Sequence, residues 1–241
     1  MSSDCIILTT VRIYCITIIN QNAASVIDHL SGAAVDEDIY TRRFLRAMNN
    51  EGNILAQAWK KRYEALAPDI QKRLDDLSRH FDRGESDHYK LQYIKKSYVL
   101  PETGDVFVCK PVNDLYYCGV VLNAHIKNMI GDDMYVVLIF NSHSDSIDRI
   151  DFTPDYENIL LEPQMISRAL WTKGWFKNIM HIEDLGDVPS YGFYKYCYDH
   201  PYWDEYDNKI DKRPEYLTIG ATTVYGLGYE ITKELIISGQ V

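Results

Sequence analysis

The chain has 241 residues, 46% of them apolar and 25% charged, with a formal net charge of −10 at neutral pH. So large an apolar share excludes a natively disordered chain, and the length suits one large domain or a domain plus an appendage. The negative balance argues against a nucleic-acid backbone as partner and favours a basic protein or plain solubility.

Residues 5–19, from Cys5 to Ile19, are apolar and β-branched but include Arg12. A bilayer span needs about 20 apolar residues, so no membrane-crossing helix is expected here. The start carries Asp4 and neither Lys nor Arg, which is unlike a secretory signal, although Ala23-Ala24-Ser25 resembles a weak cleavage site. Residues 1–35 are therefore expected to be a leader or peripheral segment, or to hold a strand.

Residues 36–100 change character and are expected to form a helical appendage. Asp36-Glu37-Asp38 suits a helix start, with Phe44, Leu45 and Met48 as its apolar face. Asn49-Asn50 and Gly52 break it, and Ile54, Leu55, Ala58, Trp59 and Leu66 restore the helical period. Pro68 fits a first helical turn; Ile70, Leu74, Leu77 and Phe81 then make a stripe that ends at Arg83-Gly84. Ser86 is a cap for a further short helix through Tyr89, Leu91 and Ile94. The basic clusters Arg42-Arg43, Lys60-Lys61-Arg62 and Lys72-Arg73 are interleaved with acids, as on solvated helix faces.

Beyond Pro101 the chain turns β-rich. Gly104 to Lys110 and Tyr116 to Leu122 flank a turn at Asn113-Asp114 and read as a hairpin; after an irregular, polar insert, Met134 to Phe140 is a third, almost wholly apolar strand. Gly119 within a strand pattern marks a bulge or a close backbone approach. Further strands are expected at Ile159 to Leu161, Trp175 to Ile182, Phe193 to Tyr198 and Tyr216 to Ile219. Ile166 to Leu170 reads as a helical turn, Val224 to Gly228 as a turn, and Glu230 to Ile237 as a helix or strand. The fold class that follows is α+β. Residues 101–241 make a β-rich domain, built as a strongly twisted antiparallel sheet or a partly open barrel, behind the N-terminal helical appendage.

The acid is unevenly placed. Residues 101–241 hold 11 Lys+Arg against 22 Asp+Glu, a net of −11, whereas residues 1–100 hold 14 against 13, a net of +1. A solvated surface accounts for this as well as a binding face does. Nineteen tyrosines add apolar area with polar tips. Tyr202, Trp203, Asp204, Glu205, Tyr206 and Asp207 combine both features in what reads as an acidic aromatic loop. Aromatic anchors beside carboxylates suit a protein partner, the acids steering a basic surface; the bland alternative turns Trp203 and Tyr206 into the core and leaves the acids to water.

Cys5, Cys15, Cys109, Cys118 and Cys197 form no CxxC pair. Cys109 and Cys118 sit in the expected hairpin, where buried reduced thiols are the ordinary reading and a cross-strand disulfide would need an oxidising compartment. A cytoplasmic location is expected.

From about 101 to 240 the chain resembles the immunity protein 26 family of bacterial polymorphic-toxin systems, some of whose relatives carry a phosphotriesterase label. The resemblance is carried by Gly104-Asp105-Val106-Phe107, Tyr117 to Leu122, Leu170-Trp171 with Gly174 to Ile179, and late pieces at Tyr198, Tyr202 to Asn208 and Tyr225 to Gly228. Lys212-Arg213-Pro214 and Thr222-Thr223 depart from it. It implies an immunity protein, as in contact-dependent inhibition, that binds and neutralises a cognate toxin domain stoichiometrically. No catalytic residue, metal or cofactor is implied, and neither nucleic acid nor membrane is expected as partner.

The alternatives are a metal-dependent, phosphotriesterase-like hydrolase and a binding or regulatory module unrelated to toxins. The hydrolase needs converging His and carboxylate ligands. His29, His80, His88, His125, His143, His181 and His200 give no HxH or HExxH arrangement. His143-Ser144-Asp145 reads as an ordinary polar loop, and Asp145, Asp148, Asp151 and Asp155 lack the glycine and closing glutamate of a calcium loop. There is no GxSxG, and Gly226-Leu227-Gly228 lacks the third glycine of a phosphate-cradling loop.

Overall fold

The computed structural model describes residues 53–195, 200–219 and 222–241. The expected leader, the helix at 36–48, Cys5, Cys15 and Cys197 lie outside those residues. Residues 58–241 form one compact unit.

The fold is α+β, as expected, around an open antiparallel sheet ordered β4-β3-β2-β1-β5. These strands are β1 (Asp105–Cys109), β2 (Tyr116–Ile126), β3 (Met134–Ser144), β4 (Ile159–Ser167) and β5 (Phe176–His181). Distinct edge strands mean that it does not close into a barrel. Both faces are covered, which is why β3 reads as a continuous apolar run: Met134 to Phe140 are all buried. One face holds Phe107, Val121, Tyr135, Val137, Ile139, Trp171 and Phe176. The other holds Val106, Val108, Val120, Leu138, Phe140 and Phe193.

The β1–β2 hairpin pairs as expected, Val108 opposite Cys118 and Cys109 opposite Tyr117. The two thiols fall in the cores on opposite faces, so no disulfide joins them; both are free and buried. Burial pushes the Cys118 thiol up to about 11, and Cys109 higher still, which leaves both unreactive. Gly119 is a close approach: a Cβ there would stand 2.3 Å from Phe107 Cζ and 2.7 Å from the Leu138 carbonyl oxygen.

The described helices before the sheet are α1 (Ile54–Glu64) and α2 (Pro68–Asp82), with Pro68 in the first turn as expected. Leu74 and Leu77 are buried with Tyr89 and Ile236, and Trp59, Tyr63, Leu66 and Ile70 pack around them. The helix expected from Ser86 through Ile94 is instead one 3₁₀ turn, Ser86–His88, followed by extended chain. Tyr89 and Leu91 are buried two residues apart, a strand's spacing. The backbone N–H groups of Gln92 and Ile94 donate to the carbonyls of Lys110 and Gly174, both at 2.7 Å, so partners distant in sequence satisfy this segment.

β4 outruns its expected length. It passes through Pro163, which an edge strand tolerates where the β3 register shifts between Val137 and Ile139. The helical turn expected at Ile166 to Leu170 falls later, as α3 (Ala169–Thr172). A small second sheet holds β6 (Tyr191–Tyr194) between β7 (Tyr202–Trp203), antiparallel, and β8 (Tyr216–Thr218), parallel. Phe193 carries that sheet into the second core.

The last helix, α4 (Val224–Ile237), corrects the turn expected at Val224 to Gly228. Two glycines argue against a helix by roughly 1 kcal/mol each. Tertiary contacts override them. Thr223 caps the helix by accepting from the Gly226 N–H at 3.0 Å, and Leu227, Ile231 and Leu235 are fully buried against the sheet. Gly228 is there for space, since a Cβ would meet the Tyr89 carbonyl oxygen at 2.3 Å. Gly228→Ala should therefore destabilise by about 1–3 kcal/mol despite better helix propensity. Thermal unfolding checks this, and a raised melting temperature would contradict the close approach.

Candidate partner-binding site

The six residues singled out in the sequence do not form an open loop. Tyr202-Trp203 is strand β7, and the chain returns at once: Asp204 N–H donates to Asn208 O at 2.9 Å, Ile210 N–H to Tyr202 O at 3.0 Å, and Trp203 bridges Lys209. Asp207 sits at φ 67°, the left-handed conformation that lets a short-chain residue close the turn. The Asp204 carboxylate holds it, accepting from Tyr206 N–H at 2.9 Å and Asn208 N–H at 2.7 Å.

This turn is docked on the β2–β3 hairpin. Glu205 Oε1 accepts from Asn123 Nδ2 at 2.7 Å and from the Tyr191 hydroxyl at 2.8 Å. Burial, then the Glu205 charge, pushes the Tyr191 phenol far above its usual range. Asn128 Nδ2 donates to Glu205 O at 2.9 Å, and Met129 N–H to Asp207 Oδ2 at 2.6 Å. Asp207 also pairs with Lys195, whose ammonium lies 4.3 Å from the Trp203 ring centroid. Trp203 is half-buried and donates from Nε1 to His200 O at 2.8 Å.

The arrangement matches neither expectation in full. Asp204, Glu205 and Asp207 bond inward and fasten the turn, Trp203 is half-buried, and Tyr206 points out at 49% exposure. The docking also displays an apolar tip that sequence reasoning misses: Met129 at 53% and Ile130 at 47% exposure, on the hairpin beside Tyr206. The run Lys127 to Asp133 reads locally as part of an irregular polar insert. Its signal is two large apolar residues placed between turn formers.

Carboxylates border the tip. Asp132 is exposed and pairs with Lys127 at 3.2 Å. Asp133 accepts from the Tyr135 hydroxyl at 3.0 Å, contacts His125 Nδ1 at 3.0 Å and lies 3.7 Å from Arg168. Glu102 stands 3.4 Å from His125 Nε2. A second imidazole, His181, meets Asp105 at 2.9 Å, and Asp105 also accepts from Asn178 Nδ2 at 2.7 Å. Each of these two histidines is thus engaged by a carboxylate.

The hydrogen bond to Asp133, helped by Glu102, raises the His125 pKa above its ordinary 6.5. The cation is favoured in the folded state, so the stabilisation is complete below the unfolded value and is lost as pH rises through the folded one. An NMR titration of the His125 ring should have its midpoint above about 6.5, and Asp133→Asn should bring it down. A wild-type midpoint at or below the ordinary value would refute the pairing.

His143 lies at the far end of β3, its Nδ1 3.0 Å from Asn141 O, and Asp145 pairs with Arg149 at 2.5 Å. Among the described residues one trio has donor atoms close enough for a metal ion, His80, Glu85 and His88; it includes none of Asp145, Asp148, Asp151 and Asp155.

These features define an α+β protein with an apolar tip bordered by carboxylates at one end of its main sheet. In the region of that sheet the chain matches the model of the family described as Immunity protein 26, over residues 102–199. The resemblance read from the sequence is borne out there; Tyr202 to Asn208 and Tyr225 to Gly228, its late pieces, lie beyond the match. Comparison with curated proteins and with solved structures finds no match.

Proposed function

We propose that this chain is an immunity protein that binds a cognate toxin domain one to one in the cytoplasm and blocks it by contact, doing no chemistry itself. The observation that carries this reading is the family match over residues 102–199. The tip formed by Met129, Ile130 and Tyr206 is the contact surface. Large apolar side chains standing in water, on a turn fixed by inward hydrogen bonds, offer a partner area at little ordering cost. The carboxylates around them, and the net −11 of residues 101–241, favour a basic partner and speed encounter.

The test is co-expression with the toxin domain encoded beside this gene. Cells making both proteins should grow, and the two should elute as a 1:1 complex. Killing at the same rate with and without this chain would overturn the reading.

A further inference from the structure

We propose that His80, Glu85 and His88 form a surface chelate for a divalent transition ion such as zinc. His80 lies in the last turn of α2. The chain then doubles back: Gly84 N–H donates to Phe81 O at 3.0 Å, and Glu85 N–H to His80 O at 2.9 Å. The Ser86–His88 turn follows, closed by Tyr89 N–H on Ser86 O at 3.1 Å. This reversal stacks the His80 and His88 rings at 3.5 Å between centroids and 10° between planes. It also sets His80 Nδ1 2.5 Å from Glu85 Oε2. One donor atom from each of the three residues lies within 4.8 Å of the other two.

The donors are held from both sides. Leu77, three residues before His80, and Tyr89, next after His88, are buried in one core with Leu74 and Ile236. A ligand set whose backbone is already anchored gives up little freedom on binding. Two imidazoles and one carboxylate are borderline donors that suit Zn²⁺, Cu²⁺ or Ni²⁺ and not Mg²⁺ or Ca²⁺. Zinc bonds of about 2.0–2.2 Å at a tetrahedral angle set two donors roughly 3.3 Å apart, so on binding the His80–Glu85 contact opens by about 0.8 Å. The stacked rings turn until both planes face the ion, a rotation open to side chains that border water. Water completes the coordination. Binding requires neutral imidazoles, so it displaces any proton held between His80 and Glu85.

The experiment uses the full chain without an affinity tag, stripped with chelator and kept reduced. Zinc is titrated calorimetrically into the wild type, H80A/H88A and the single variant H88N. The wild type should bind one more equivalent than the double variant. Losing even an outer-shell partner weakens metal sites about 10–100-fold, so H88N should lose at least about tenfold. Bound Cu²⁺ should show electron-paramagnetic coupling to two nitrogens in the wild type, absent from H80A/H88A. Equal zinc stoichiometry and affinity in wild type and double variant would overturn the proposal. Should the double variant misfold by circular dichroism, the exposed H88N decides alone: unchanged affinity rejects the site.

Discussion

Trp171→Ala should lower the unfolding free energy by about 3–5 kcal/mol, the range for deleting a large aromatic side chain from a packed core. Trp171 is 1% exposed, and a close-packed interior collapses only in part around the space an indole leaves. Its ring meets Phe107 edge-on at 5.6 Å, Phe176 at 5.1 Å and Tyr135 at 5.5 Å. These three rings come from β1, β5 and β3, so one side chain ties together strands that are not all neighbours. The indole N–H adds a bond to Asn178 Oδ1 at 2.6 Å, and Asn178 in turn donates to Asp105. Truncation therefore opens a cavity and frees the amide that positions Asp105 against His181. At about 2–4 °C per kcal/mol for a chain of this size, the melting temperature should fall by roughly 6–20 °C. Trp171→Phe should recover part of the loss, because it restores ring contact without the N–H. A melt of Trp171→Ala within about 2 °C of wild type would mean that the indole is not packed as described.

Much of the scaffold around Trp171 is legible in the sequence. The hairpin, the third strand and the stripe of α2 can be read because each depends on neighbours in sequence: β-branched runs, turn formers, a 3.6-residue period. Gly119 can be read too, since a strand interior keeps a glycine mainly where it bulges or where another group comes close. Long-range causes hide the rest. The stretch after Ser86 carries helix-compatible residues, yet its N–H groups find Lys110 and Gly174, partners no local pattern names. Gly226 and Gly228 signal a turn; the helix there rests on the Thr223 cap and on burial against the sheet, and the Tyr89 backbone passing α4 accounts for the glycine at 228. The candidate site is half visible. Its composition points to Tyr202 through Asp207, but the fate of each carboxylate is set by Asn123, Met129, Tyr191 and Lys195, distant in sequence. Met129 and Ile130 need that docking to become part of one surface with Tyr206.

That division of labour yields the sharpest functional expectation. Tyr206→Ala and Ile130→Asp should each weaken toxin binding by about 2 kcal/mol, roughly 30-fold in Kd, if these residues are the anchors proposed here. Both side chains stand about half in water, so thermal stability should change by no more than about 0.5 kcal/mol. Tyr206→Phe separates the ring from its hydroxyl. The hydroxyl accepts from Asn123 Nδ2 at 2.9 Å, but that amide also serves Glu205, so Phe should bind nearly as well as Tyr. Glu205→Ala behaves differently. It leaves the Tyr191 hydroxyl and Asn123 without their shared acceptor and loosens the turn from the hairpin, so stability and binding should fall together. Asp132→Lys changes the charge beside the tip without touching it, and its effect belongs mainly to the association rate and its salt dependence. Calorimetry or surface-immobilised kinetics with the purified toxin domain reads all of these. Full affinity in both Tyr206→Ala and Ile130→Asp, with the fold intact, would move the interface elsewhere on the molecule while leaving the immunity function itself to the co-expression result.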